Sequence, residues 1–406
     1  MESKKTKINI LILSHLDPLG DGIGGTKSFI KGFVENAPDN FTIEWVGVSI
    51  DRKERPVGRW QKIKIGDKSF NFLPVLFIRS ENIKTRLPLT FYYVLSLFKY
   101  KFKIHLEDKI LEFHRIENAL PFRSITNKKI LYIHGNIKKV FDPYSEGKWS
   151  KLPWVYPKIE RKIITRMDKI FVVSTEGLEY YKKQYPFMVN KFVFMPTFVD
   201  TNKFYPYPSV KEKKIKSSEF KNKYGFSEED EIIIFVGRLE SSKNPLLLIN
   251  SFYYLRKNYP NVVLLIIGTG SFEKIIAKKI KEYGLEEKVK LFGAVFNEEV
   301  LKLLRLSDVF LMTSAFEGMP ISVLEALASG LPVVSTDVGE VKKVVKDGFS
   351  GRVVSNHSKD DIAKAVFEVL NDKEKFNAKN CVDSIKDYTV ESVLSGIYKM
   401  HYDMII

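Results

Sequence analysis

Short runs of β-branched and aromatic residues alternate with longer stretches whose apolar positions recur at helical spacing, the pattern of βα units around a parallel sheet. In the first half INILILS (8–14), FTIEWVGVSI (41–50), KILYIHG (129–135) and KIFVVS (169–174) read as strands. In the second half EIIIFVG (231–237), NVVLLIIG (261–268), VKLFGAV (289–295), DVFLMTS (308–314) and LPVVST (331–336) do the same. Each is apolar enough to be covered on both faces. The stretch from Thr201 to Glu231 is rich in proline and charge and lacks a long apolar periodicity, so the break between two domains is expected there. The tail DYTVESVLSGIYKMHYDMII has apolar residues at helical spacing and predicts a closing amphipathic helix.

At 406 residues the chain suits two domains rather than one core. The expected fold is α/β, two Rossmann-like doubly wound domains: residues 1–200, residues 201–385, and a C-terminal helix, 386–406, returning to the first domain. The basic start and the apolar run Ile8–Leu13 resemble a signal peptide only superficially, because the run leads straight into a glycine loop, and a first buried strand explains it better. The longest other apolar stretch, Leu87 to Phe98, is too short to span a bilayer. A single cysteine, Cys381, excludes an intramolecular disulfide and a thiolate metal site, and points to a reducing, cytoplasmic setting.

Charge changes the picture. Residues 1–200 hold 35 Lys and Arg against 21 Asp and Glu, whereas residues 201–406 hold 30 against 28, so nearly all of the net +16 lies on the first domain. That excess serves solubility, or it faces something anionic. One segment sharpens the second reading. FIRSENIKTRLPLTFYYVLSLFKYKFK sets an aromatic and aliphatic run between Arg79, Lys84, Arg86 and Lys99, Lys101, Lys103, which suits either a buried helix or an interfacial one on a membrane surface.

Several loops carry candidate chemistry. GIGGTKSFI (22–30) is a glycine turn between a strand and a helix, suited to close approach of an anion, although it is not a dinucleotide fingerprint. His134 follows a strand, where it is either a surface histidine or a donor to a phosphate or sugar hydroxyl; His114 in ILEFHRIE is a weaker candidate. In FVGRLESSKNP, Arg238 and Lys243 follow a buried strand and suit a diphosphate, Arg as a fork and Lys as a point charge. In FEGMPISVLEALASGLPVV, Glu317 lies in a loop, Pro320 suits the first turn of a helix, and Glu325 lies on that helix. Five residues at ~1.5 Å rise separate Pro320 from Glu325 by roughly 7–8 Å, comparable with a pyrophosphate. Ionised carboxylates accept paired hydrogen bonds from a diol.

Taken together, SAFEGMPISVLEALASGLPVVSTDVGEVKKVVKDGFSGRVV, GIGGTKSF, YIHGN, DKIFVVST, VGRLESSKNP and YTVESVLSGIY resemble the motifs of the retaining glycosyltransferases of family four, with the GT-B fold. The resemblance covers most of the chain. It implies a C-terminal domain holding a nucleotide-sugar, an N-terminal domain holding a glycan or lipid-linked acceptor, and an active cleft between them. Arg238 and Lys243 would bind the diphosphate and stabilise the leaving nucleotide, and Glu325 would bind the ribose. Glu317 with the amides near Gly318 and Met319 would hold the sugar, and Val295 would lie by the base. His134 would contact the sugar and Gly25 would lie beside the phosphates. Same-face attack, with a leaving-group oxygen taking the acceptor's proton, needs no side-chain nucleophile. No D-x-D triplet is found, which fits metal-independent transfer, and no cofactor is implied beyond the nucleotide-sugar as co-substrate.

The chain departs from the family pattern at Thr197 and Phe198, at Asn244 after the clamp lysine, and at Glu340 and Lys343. Competing readings are a nucleotide-sugar epimerase of related fold and a non-catalytic sugar- or nucleic-acid-binding protein. Without a zinc pattern or an arginine-rich stripe, nucleic acid is a poor partner.

Overall fold

The computed structural model describes residues 6–20, 24–81, 87–135 and 156–405. Of the residues singled out above, Gly22, Lys84 and Arg86 lie outside them. The chain divides into two compact units, residues 1–197 with 390–406, and residues 198–389.

The first unit is built on eight strands: β1 (Ile8–Leu13), β2 (Phe41–Ser49), β3 (Gln61–Ile65), β4 (Lys68–Phe77), β5 (Lys109–Phe113), β6 (Lys129–Ile133), β7 (Lys169–Val172) and β8 (Phe192–Phe194). Their order is β3-β4-β2-β1-β5-β6-β7-β8. All pairs are parallel except β3 with β4, a hairpin at one edge. β4 carries Pro74, which has no N–H to give to a ladder, and the β2 pairing shifts register beside it, after Gly47. The helix Val390–Asp403 belongs to this unit. Its Tyr398 donates to the carbonyl of Phe33 and its Tyr402 to Asn40 Oδ1, both at 2.6 Å.

The second unit has six strands: β9 (Glu231–Val236), β10 (Val262–Ile267), β11 (Val289–Gly293), β12 (Val309–Met312), β13 (Val333–Thr336) and β14 (Gly351–Val354). They form a wholly parallel sheet in the order β11-β10-β9-β12-β13-β14, which is the doubly wound order with its reversal between β9 and β12. β10 is buried along its whole length, as VVLLII requires, whereas β11 at the edge exposes Lys290 and Leu291. The expectation that every strand is covered on both faces therefore fails at this edge. The entry and exit of the unit are joined: Val199 bridges Thr389 and donates to Tyr388 O at 2.9 Å.

The stretch from Thr201 to Glu231 is not all linker, for it contains the helix Val210–Tyr224. Only Ser217 of that helix is buried. It is held by Ser209 accepting from Glu212 N at 3.2 Å, a Lys216–Glu219 pair at 2.9 Å and a left-handed Gly225 at its end, and further along the chain by Lys213 Nζ donating to Ser307 O at 2.6 Å and by Phe220 stacked on Phe292 at 6.4 Å.

One glycine is dictated by packing rather than by a turn. Gly268, just past β10, has φ +126°, and a Cβ there would stand 1.9 Å from the carbonyl oxygen of Gly237 at the end of β9. Gly225 also has positive φ, +72°, but open space around it. Gly268→Ala should therefore cost roughly 3 kcal/mol or more, strain and collision combined, against about 1–2 kcal/mol for Gly225→Ala. Denaturant unfolding of the two variants checks the ranking, and equal losses would contradict it.

Candidate active site

Where strand order reverses, the loops leaving neighbouring strands turn to opposite faces and leave a crevice at the carboxyl ends. In the second unit those loops follow β9 and β12. After β9 come Gly237 and Arg238, then a single 3-10 turn, Ser241–Lys243. The chain next passes through Asn244 in the left-handed region, φ 47°, before the helix Pro245–Asn258. Asparagine tolerates this conformation better than most residues, and its side chain accepts from Leu247 N at 3.3 Å, capping the helix. The departure at Asn244 is thus accommodated where glycine would otherwise serve.

The two loops are stitched together. Thr313 Oγ1 donates to the carbonyls of Lys243 and Asn244, each at 3.2 Å, and Ala315 N donates to Ser242 O at 2.9 Å. Lys243 Nζ forms an ion pair with Glu317 Oε1, to which Ser314 Oγ also donates at 2.7 Å. Both side chains of the pair are largely buried, 19% and 12% exposed. The spacing along the chain assigns Lys243 to one ligand group and Glu317 to another, and the structure brings them into direct contact. An incoming anion therefore meets a lysine already held by a carboxylate. Arg238 differs: it is exposed, and its guanidinium has no hydrogen-bond or ion-pair partner among the described residues.

Glu325 lies on the helix Ile321–Ala328, half-buried, with Leu324 and Ala326 buried on either side of it. Its carboxylate has no hydrogen-bond or ion-pair partner among the described residues, and desolvation raises its pKa to about 7. Pro320 is not in the first turn as expected but caps it with extended backbone, ψ 113°. Met319 is buried, and Gly318 O accepts from Glu340 N at 2.9 Å. Glu340 and Lys343, the other two departures near the site, pair with one another at 2.6 Å. Val295 is half-buried in the loop after β11, at the same edge of the sheet but two strands from β9.

In the first unit the order reverses between β1 and β5. His134 follows β6 and His114 follows β5, and their rings stack 5.2 Å apart with His134 Nε2 2.8 Å from His114 Nδ1. The helix Gly25–Glu35 sets Phe29 edge-on to His134 at 5.2 Å. Gly25 is the first residue of that helix and is exposed. Burial, with His114 and Arg115 adding to it, drives the His134 pKa well below the usual imidazole value, so it is neutral and supplies no cation for a phosphate. Three residues here were not foreseen. His15, after β1, is pushed down to about 3 by burial and by Arg115 and His114. Glu112 within β5 is fully buried; burial alone would raise its pKa, but the His114 and His401 imidazoles beside it bring it to about 2. His401 on the tail helix is buried against it. A glutamate inside an apolar strand, KILEF, is the one signal that pointed here.

The raised Glu325 pKa gives a signed expectation. The folded chain holds its proton up to about 7 and the unfolded chain releases it near 4.5, so stability falls as pH rises through that window. Above it the buried charge costs about 3 kcal/mol. Glu325→Gln should match the parent below the window and exceed it by up to that amount at about pH 8, as read by urea unfolding across pH. A gap that does not vary with pH would remove the assignment.

Residues 216–382 match the family described as Glycosyl transferases group 1. Over 269 residues the chain is 28% identical to the Escherichia coli UDP-Gal:alpha-D-GlcNAc-diphosphoundecaprenol alpha-1,3-galactosyltransferase, covering 65% of this chain and 67% of that one. It is 27% identical over 234 residues to a Mycobacterium tuberculosis GDP-mannose-dependent alpha-(1-6)-phosphatidylinositol monomannoside mannosyltransferase, covering 56% of this chain and 58% of that one. These matches thus span little more than half to two thirds of each relative's length. Sucrose-phosphate synthase from Thermosynechococcus elongatus superposes with a TM-score of 0.80 over 98% of this chain and 99% of its own, at 16% identity, which speaks to the fold alone. That fold is GT-B, and the match to the group 1 glycosyl transferases runs through residues 216–382.

Proposed function

We propose that this chain transfers a sugar from a nucleotide-sugar to an acceptor hydroxyl with retention of anomeric configuration. The carrying observation is the cluster at the β9/β12 reversal: the Lys243–Glu317–Ser314 contact, the unpartnered Arg238 in the loop beside it, and the unpartnered Glu325 on the following helix. Arg238 supplies a fork and Lys243 a point charge to a diphosphate, and both meet the negative charge that grows as the nucleotide departs. This charge supply makes transfer independent of added divalent metal. As the phosphate draws Lys243 off, Glu317 is freed to accept from sugar hydroxyls, with the amides at Gly318 and Met319 beside it. Glu325 accepts from the ribose diol, and those two donors replace the water it has lost. Val295 borders the base. Gly25 and His134 belong to the acceptor-holding first unit.

We propose further that the acceptor is a lipid-linked glycan precursor met at an anionic membrane surface. The helix Leu89–Tyr100 supports this reading. Thr90, Tyr93, Val94 and Leu97 pack into the unit, while Phe91, Leu95 and Phe98 stand about half exposed and Phe102, just beyond, is 96% exposed. Lys99 and Arg79 are exposed nearby in sequence, whereas Lys101 and Lys103 are tied to the carbonyls of Pro121 and Gly58, each at 3.0 Å. No helix of the described residues is long and apolar enough to cross a membrane. An apolar row with cations beside it suits a helix lying on the headgroups.

Two measurements test these readings. In a thermal-shift panel of UDP-, GDP- and ADP-sugars, one ligand at 100 times its Kd should add about 2.7 kcal/mol of stability with chelator present. Arg238→Ala or Lys243→Ala should weaken it roughly 10- to 100-fold, the worth of a charge-assisted hydrogen bond. Unchanged shifts in both variants would place the donor elsewhere. For the surface, sedimentation with anionic vesicles should be salt-sensitive and should fall when Phe98 and Phe102 are changed to Ser. Equal binding to neutral vesicles, or no effect of the changes, would end the membrane reading.

A further inference from the structure

Behind His134 lies a line of buried polar groups that the proposed transfer does not use. His134 Nε2 and His114 Nδ1 are 2.8 Å apart, so one carries a hydrogen and the other a lone pair. On the other side of the His114 ring, Nε2 is buried without a hydrogen-bond partner and lies 3.8 Å from Glu112 Oε2, which is equally buried and unpartnered. Which of these atoms bears a proton is decided by the tail helix. His401 Nδ1 sits 2.7 Å from the carbonyl oxygen of Ile397, which can only accept, so Nδ1 carries a hydrogen. His401 Nε2 then meets Glu112 Oε1 at 2.5 Å, a contact that requires a second proton between nitrogen and oxygen. Tyr132 Oη donates to the same oxygen at 3.0 Å.

That shared proton rests on the imidazole or on the carboxyl. In both cases it occupies the Oε1 side and leaves Oε2 a bare acceptor. A bare oxygen attracts an N–H and repels a lone pair, and between two fully buried side chains this preference is felt at 3.8 Å. His114 therefore holds its hydrogen on Nε2. It has only one, because burial keeps it neutral to below the usual imidazole range. Its Nδ1 is then a lone pair, so His134 Nε2 donates the bridging hydrogen. His134 is neutral as well, which leaves its Nδ1 as a lone pair with no partner among the described residues.

We propose that Glu112, held by His401 and Tyr132, acts through His114 as a positioning residue that presents His134 Nδ1 as a hydrogen-bond acceptor for a substrate hydroxyl. The assignment of a substrate rests on the glycosyl-transfer reading; the proton positions do not. A lone pair takes a hydroxyl hydrogen and turns away a phosphate oxygen, which has none to give. His134 thereby selects the sugar or acceptor part of the substrate against the diphosphate part.

The test is a long-range proton–nitrogen NMR correlation on the full chain labelled with 15N-histidine, with His134 identified by its loss in His134→Asn. The expected spectrum of the free protein has the His134 proton on Nε2 and a bare Nδ1. In His114→Phe, which keeps a ring between Tyr132 and His134 but no acceptor, His134 should show both tautomers. A proton on Nδ1 in the parent chain, or an unchanged His134 in the variant, would overturn the proposal. No substrate is needed for this, so the outcome is independent of whether the transfer reading holds. Adding the sugar nucleotide chosen by the thermal panel, against its nucleoside diphosphate alone, then separates the two sources of hydroxyl. A change at Nδ1 with the former only assigns the donor sugar, no change with either excludes it, and a change with the diphosphate alone would overturn the selection against phosphate.

Discussion

A lysine and a glutamate seventy-four residues apart, Lys243 and Glu317, neutralise one another across the point where the second sheet reverses its winding. The rest of the candidate site is arranged around that contact. Parallel strands end together on one edge, and the reversal keeps helices from closing over the gap between β9 and β12. Into that gap the chain sends two short loops, tied by Thr313 to two carbonyls and by Ala315 to a third. Partly buried opposite charges hold each other in place at modest net gain, but losing one partner leaves the other desolvated and alone.

The positions at which this chain departs from the pattern it resembles are settled locally. Asn244 takes up the left-handed conformation and caps a helix in the same step. Glu340 and Lys343 satisfy one another three residues apart, and the Glu340 amide still reaches Gly318 O. Phe198 is buried, together with Thr197 and Val199, at the junction where the chain enters the second unit. In each case the altered side chain brings its own partner or its own burial, so the loops carrying Lys243 and Glu317 keep their contacts.

The first unit handles charge in the opposite way. Glu112, His114, His134, His401 and Tyr132 are gathered within a core of aromatic rings, with Phe29 edge-on to His134 and His114 stacked on Tyr132 at 4.6 Å. Where the second unit leaves Arg238 exposed, burial in the first keeps His114 and His134 neutral and leaves them as directional donors and acceptors. Neutral, oriented groups suit hydroxyl recognition, and exposed cations suit phosphate.

Much of this was open to reading along the chain, for definite reasons. Buried parallel strands are written as unbroken apolar runs, and the loops that follow them are short, so Arg238, Lys243, Glu317 and Glu325 stand out as charges against an apolar background. Less visible were β3, a short alternating QKIKI, β4, whose internal proline argues against a strand, the short β5, β8 and β14, and the helix Val210–Tyr224, in which only Ser217 is buried. Local pattern by itself determined the class of fold, five of the six strands of the second sheet and the residue types available for chemistry, because secondary-structure periodicity and turn composition act over a few residues. Only the tertiary structure decided that Lys243 meets Glu317, that Glu325 stands alone with its pKa raised, and that His401 from the tail sets the protons on His114 and His134. Those are matters of distance and of water removed, and both depend on residues far apart in the chain being folded onto one another.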